Sequence, residues 1–251
     1  LDIAANGQLE SLKFNGNARI EAADLAAFSP LADRELRGAA SLSARGEAAL
    51  VGGAFDLSLD GTLVDAVVGD ALADRLIRGT TRLTGGVART PDGLRFNSLL
   101  LENPQSRTQV NGAFATTRAD LRAHAEIFDV ATLDDRASGR LALDATIDKA
   151  PESQRDDPYD VSASLSLTGA KLLDRRVPSA EFAFDGAIKG AELAGNLSGT
   201  GLIGGEPIDV SGAISRSGDR IDISGEFGDA EAFRAAVAAG AEAARAGRLV
   251  T

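Results

Sequence analysis

The chain has 251 residues, 44% of them apolar, and 26 basic against 37 acidic side chains give a net charge of −11. That length and apolar content suit one large β domain or two average ones with a buried core, and the acidic balance, without any Lys/Arg cluster, argues against nucleic-acid binding. Zero cysteines exclude disulfides, thiolate metal sites and cysteine nucleophiles but do not fix a compartment, and no apolar run of about 18 residues is present to cross a membrane as a helix.

In chain order, Leu12 to Ile20 already alternates in the manner of a strand, with no signal-peptide pattern before it, so the expectation is an excerpt from a longer polypeptide. Asp24 is placed to cap a short helix through Phe28 to Leu36, with Pro30 in its first turn and Gly38 beyond its end. Asp70 to Arg78, before Gly79, reads the same way. Period-two alternation of Val, Ile, Leu and Phe then predicts strands at about 39–48, 54–64, 80–89, 93–101, 107–115 and 119–127. The turn signals between them include Gly85-Gly86, Pro91-Asp92-Gly93 and Asn103-Pro104. A second set follows at about 139–148, 160–170, 179–188, 191–199, 207–215 and 219–227. Between its first two strands, the charged, proline-bracketed stretch from Lys149 to Pro158 is the expected mobile loop. Residues 229–247 are alanine-rich with Phe233, Val237, Ala241 and Ala244 at helical spacing, and are expected to form a weakly amphipathic helix.

The two sets are copies. Asp24-Leu25 to Phe28 recurs as Asp129-Val130 to Leu133 and again as Asp229 to Phe233, and Gly38, Gly61 and Gly112 find counterparts at Gly139, Gly169 and Gly212. The implied organisation is the end of a preceding repeat at 1–23, a first repeat at 24–128, a second at 129–228 and a C-terminal helix, the start of a third repeat or the fragment's end, at 229–251.

Chemistry-bearing constellations are few. His124 is the only histidine and falls on the polar phase of a strand. Gly199-Thr200-Gly201-Leu202-Ile203-Gly204 formally spells a dinucleotide fingerprint, yet a strand rather than a phosphate-binding helix follows it, so it reads as a turn. The pairs Asp134-Asp135 and Asp156-Asp157 lack the spacing of calcium loops and read as solvated charge. No catalytic residue, metal site or cofactor is assigned, and the expectation is a protein that is not an enzyme.

The informative feature is the apolar phase of the strands. In Leu57 to Leu63, Val110 to Phe114, Leu165 to Gly169, Phe182 to Ile188, Ile208 to Ile214 and Ile221 to Phe227, a glycine stands where the next apolar side chain belongs. Glycine in a strand marks a bend, a bulge or a close approach. Two readings stay open: glycines that let the sheet curl, and glycines that clear its inner wall for a ligand. About a dozen strands at about 4.8 Å spacing make a trough of roughly 55 Å, too long for the few short helices to cover. Its aliphatic wall suits acyl chains better than polar substrates.

The cadence Asp24-Leu25 to Gly38, then Gly79 to Gly86, Asp92 to Leu99 and Val110 to Phe114, resembles the TamB family of translocation-and-assembly-module proteins of Gram-negative bacteria, within the AsmA-like group of bridge-like lipid transfer proteins. The resemblance covers nearly the whole chain and carries no catalytic motif. It implies an all-β fold with a few short helices, an elongated, curled repeat sheet of the β-taco type around a hydrophobic groove. It also implies a periplasmic location in a parent anchored in the inner membrane, phospholipids or other acyl-chain lipids as cargo passed between the membranes in outer-membrane biogenesis, and an Omp85-type outer-membrane barrel, TamA-like, as partner. The groove wall it implies comprises Leu12, Phe14, Leu42, Phe55, Leu57, Leu59, Leu63, Val110, Phe114, Leu141, Leu143, Val161, Leu165, Leu167, Phe182, Phe184, Ile188, Ile208, Val210, Ile214, Ile221, Ile223 and Phe227. Its groove glycines are Gly16, Gly61, Gly112, Gly169, Gly186, Gly212 and Gly225. Two other roles fit the same strands: a scaffold that pairs its sheet edge with client outer-membrane proteins, and a dry-cored β-solenoid stalk of an adhesin or autotransporter.

Overall fold

The computed structural model describes residues 2–10, 12–49, 51–151, 153–172, 175–190, 192–217 and 220–227. The helix expected at 229–247 lies outside the described residues. The rest is a single fourteen-stranded sheet in which every strand pairs only with its sequence neighbours, always antiparallel, and the two outer strands do not meet. The strands are β1 (Asp2–Glu10), β2 (Lys13–Ala22), β3 (Arg37–Ala49), β4 (Phe55–Val67), β5 (Thr80–Thr90), β6 (Gly93–Glu102), β7 (Ser106–Phe114), β8 (Ala119–Ile127), β9 (Ala137–Lys149), β10 (Tyr159–Leu172), β11 (Arg175–Lys189), β12 (Glu192–Ile203), β13 (Glu206–Ser217) and β14 (Arg220–Phe227). The fold is all-β, a curled, open antiparallel sheet with very few helices.

Alternation explains both the strands and the curl. Along β4 the apolar Phe55, Leu57 and Leu59 are half-buried while Asp56, Ser58 and Asp60 between them are exposed. A flat single sheet would shelter its two faces equally, so the asymmetry marks bending around the apolar face. Register shifts of the kind that bend strands lie between Arg37 and Ala39, Thr84 and Gly86, Phe96 and Leu99, and Thr168 and Lys171.

The short helices all sit at one rim. A 3₁₀ turn at Leu25–Phe28 leads into α1 (Ser29–Ala32) between β2 and β3, α2 (Ala71–Leu76) joins β4 to β5, and a 3₁₀ turn at Val130–Thr132 joins β8 to β9. Their starts are set by the expected aspartates. Asp24 Oδ1 accepts from Ala26 N at 2.9 Å, Asp129 Oδ1 from Ala131 N at 3.0 Å, and Asp70 Oδ1 from both Leu72 N and Ala73 N. Asn103 ties this rim together, donating to the Leu76 carbonyl at 2.8 Å and to Thr81 Oγ1 at 3.2 Å while accepting from Ser106 N at 2.8 Å. Arg75 of α2 donates to the Leu133 carbonyl, linking α2 to the turn between β8 and β9.

The tightest packing is here too. Val130 seats among Leu167, Ala170, Val177 and Ala180 on the apolar face, with Leu133, Leu141, Phe182 and Ile203 around them. At the opposite rim the strands are joined by hairpins. The loop expected to be mobile is pinned there. Lys149 Nζ, buried, donates to the carbonyls of Thr116, Arg155 and Asp157 at 2.9, 3.2 and 2.8 Å, and Gln154 N bonds Asp157 Oδ2 at 2.7 Å. The ammonium needs three acceptors once it is dry, and the loop's own backbone supplies two of them.

Candidate functional site

Directly paired residues of an antiparallel sheet share a face, so the register carries each predicted lining residue across the molecule. One row runs Ile3, Ile20, Leu42, Gly61, Leu83, Leu101, Thr108, Ala125, Leu143, Leu165, Phe182, Gly199, Val210, Phe227. A second, two residues nearer the hairpin rim, passes through Leu59, Val110, Ala123, Ala145, Ala163, Phe184, Leu197 and Gly212. A third runs Gly7, Gly16, Gly46, Leu57, Val87, Phe96, Gly112, Leu121, Ile147, Val161, Gly186, Gly195, Ile214, Ile223. Thr108 is the single polar residue in the first and third.

The fourth row, along the hairpin rim, holds Phe14, Phe55, Phe114, Ile188 and Ile221, and Leu63, Leu141, Leu167 and Ile208 fall on the same face near the helix rim. The register therefore gathers the predicted lining residues onto one face, with two exceptions. Leu12 lies in the β1–β2 turn at φ 62 and 61% exposed, off the rows. Gly169 sits at the β9–β10 register shift with φ 61 and open space where a Cβ would stand, so it resets the phase of β10 there: Leu167 before it and Ala170 after it are both buried.

The first three rows, about 6.7 Å apart on fourteen strands about 4.8 Å apart, make an apolar field of about 800 Å², above the few hundred Å² usual for a monomer's largest patch. Among the described residues no second layer covers it. The extensive packing between strands is between sequence neighbours, and Ile20, Leu94 and Phe114 on this face remain 38% exposed.

The two readings of the in-phase glycines separate by place. At Gly112, φ is 115 and a Cβ would run into the Asp120 carbonyl, so this glycine serves the bend. Gly186 and Gly195 pair across β11 and β12, and a Cβ on either would sit 2.6 Å from the Phe184 ring. That ring lies flat over the glycines and fills the gap they leave, a seat for an aromatic that smooths the wall. Gly7 and Gly16 form a second such pair, with Phe14 Cζ 2.7 Å from the place of a Gly7 Cβ.

The opposite face holds the chemistry-bearing side chains. A shallow hollow of ≈ 410 Å³ there is lined by Gln109, Asn111, Arg122, His124, Asp144 and Asp185 among others. His124 Nδ1 is 2.7 Å from Asp144 Oδ1 and its Nε2 is 3.8 Å from Glu126 Oε1, while Ser162 Oγ donates to Asp185 Oδ1 at 2.7 Å. The serine is thus bonded to a carboxylate and not to the imidazole, which is not the arrangement of an activated nucleophile. Asp134 is held far below the usual carboxylate range by side-chain and backbone hydrogen bonds from Arg136, an ion pair rather than a cation site. No cluster of three His, Asp or Glu suited to a metal occurs among the described residues. Gly204 and Gly205, at φ 64 and 92, form the two-residue turn between β12 and β13.

No protein-family model matches this chain, and no curated protein or solved structure matches it either.

Proposed function

We propose that the apolar face binds acyl chains and that the curled sheet is a segment of a hydrophobic conduit, along which phospholipids move passively between the inner and outer membranes of a Gram-negative envelope. In this reading the chain works in the periplasm within a parent anchored in the inner membrane, alongside an Omp85-type barrel, and serves outer-membrane biogenesis without chemistry of its own. The observation that carries it is the pair of apolar rows, interrupted only by Thr108, that cross all fourteen strands with no layer over them among the described residues. An aliphatic surface of that extent is unfavourable in water unless something apolar occupies it. The strictly antiparallel, sequential pairing also differs from the parallel coils of a solenoid stalk.

The test is photocrosslinking with a phospholipid carrying a diazirine on its acyl chain. Ile20→Asp together with Leu94→Asp places charge on the open face at two 38% exposed positions. Crosslinking should fall several-fold with the far-UV circular dichroism retained; unchanged crosslinking refutes the conduit. Leu167 is unsuited to this purpose because it is only 8% exposed within the packed cluster, and a charge there would unfold the sheet.

A further inference from the structure

Both rims of the trough are built up at its middle. At the helix rim Val130 lies on the apolar face against residues of β10 and β11. At the hairpin rim the rings of Phe114 on β7 and Tyr159 on β10 stack with centroids 5.1 Å apart, although three strand spacings would hold their backbones about 14 Å apart in a flat sheet. The rings meet over Ala119 and Lys149, the fourth-row residues of the two strands between them, which are only 5% and 4% exposed. Tyr159 Oη donates to the Ala115 carbonyl at 3.0 Å, and Lys149 Nζ lies 4.6 Å from the centre of the tyrosine ring.

Lys149 also draws the loop between β9 and β10 onto this face. Of the three carbonyls its ammonium holds, those of Arg155 and Asp157 belong to that loop and that of Thr116 to the β7–β8 turn. Bonds within the loop, from Ser153 N to the Ala150 carbonyl and from Asp157 N to the Gln154 carbonyl, give it a shape of its own. Its apolar residues Ala150, Pro151 and Pro158 are all exposed, so no hydrophobic burial fastens it to the sheet. What holds it is one ammonium, whose bonds water can replace. We propose that this loop is a strap gating the middle of the trough: closed, as here, it roofs the hairpin-rim row between β7 and β10, and released from Lys149 it uncovers that row and widens the path for an acyl chain. This rests on the acyl-chain reading above. Because the strap offers the trough no apolar contact, it sets how fast a ligand enters and leaves and not how tightly the aliphatic rows hold it.

The probe is phosphatidylcholine with a pyrene on one acyl chain, bound to the full 251-residue chain, its entry and release followed by fluorescence against vesicles of the unlabelled lipid. Lys149→Met keeps the bulk of the stem and removes the ammonium, and faster tryptic cleavage after Arg155 reports the strap loose. Entry and release should then both rise about 10-fold, the effect of losing one hydrogen bond to a charged group, with Kd unchanged. The converse variant joins Thr116→Cys to Arg155→Cys through a short bismaleimide. The carbonyls of these two residues share the Lys149 ammonium, and the native chain has no cysteine to compete. Both rates should fall, again at constant Kd. Unchanged cleavage or unchanged rates in Lys149→Met, or native rates in the crosslinked chain, overturn the gate and leave the acyl reading intact. If Lys149→Met does not fold, the crosslinked chain, which keeps the lysine, decides alone. A native chain that binds none of the probe refutes the acyl reading and the gate with it.

Discussion

Leu94 and Leu167 lie on the same face and differ only in what covers them, so the same truncation at each tests whether that face is open in solution. Leu167 is 8% exposed and packs with Val130, Ala170, Val177 and Ala180, whereas Leu94 is 38% exposed. Leucine to alanine removes three carbons, about 0.8 kcal/mol each when fully buried. At Leu167 nearly the whole transfer is lost and a cavity is left, so the cost should be about 3 kcal/mol. At Leu94 only the covered part counts and the space left is continuous with solvent, so about 1.5 kcal/mol is expected. Paired urea titrations of Leu167→Ala and Leu94→Ala, followed by far-UV circular dichroism, read this difference, and the corresponding gap in Tm is about 3–6 °C for a chain of this size. Equal penalties at the two sites would mean that the face is sealed in solution, by a second copy or by collapse of the curl, and the open-trough reasoning would fail.

Gly112→Ala should destabilise by about 3 kcal/mol or more, because its Cβ meets the Asp120 carbonyl at a left-handed φ, whereas Gly190→Ala, at φ 61 with open space around it, should cost about 1 kcal/mol; thermal melts compare the two. Asp129→Ala removes the acceptor for Ala131 N and Gly139 N and should cost about 1 kcal/mol, read by the same melts. Lys149→Ala should release the 150–158 loop, measured as faster tryptic cleavage after Arg155; an unchanged cleavage rate would show that the three carbonyl bonds are not what holds it. Because Arg136 lowers the Asp134 pKa in the folded state, the pair's contribution is present above the unfolded carboxylate value of about 4 and is lost as pH falls through the folded one. Asp134→Asn should therefore flatten the acid limb of the stability curve slightly, the effect being small because both side chains are over a third exposed.

The strands were legible because the period of two is strict. The expectation of 54–64 became Phe55–Val67 and that of 160–170 became Tyr159–Leu172, with the ends longer because pairing with the neighbouring strand continues past the register shift, as Val67 with Arg37 and Leu172 with Ala137. Phase alone also placed Leu57, Val110, Phe184 and Ile208 on a common face, since in a sheet of sequential hairpins each register follows from the turn before it. What periodicity does not carry is a local change of phase or a contact across strands. Gly169 keeps the parity of its apolar neighbours in the sequence, yet its left-handed φ shifts the register, and only the pairing of Lys171 with Ser138 reveals it. The clamp of Lys149 depends on backbone carbonyls from three segments, which no side-chain pattern encodes.

The glycines decide between two kinds of wall. Had the gaps at Gly186 and Gly195 been empty, the face would be a row of notches suited to branched or kinked ligands. Phe184 instead lies across them, as Phe14 does over Gly7. A ring laid flat projects less into the trough than one standing upright, so the third row stays low where these two glycine pairs lie. Low relief of this kind gives no single position a deep well, which is what movement along the face requires and what tight binding at one place would forbid. Phe184→Ala tests this, because it opens a real notch in the wall. An acyl chain should then bind more tightly and exchange more slowly between molecules, and unchanged dissociation kinetics of a fluorescent acyl lipid would show that the flat ring has no part in keeping the path smooth.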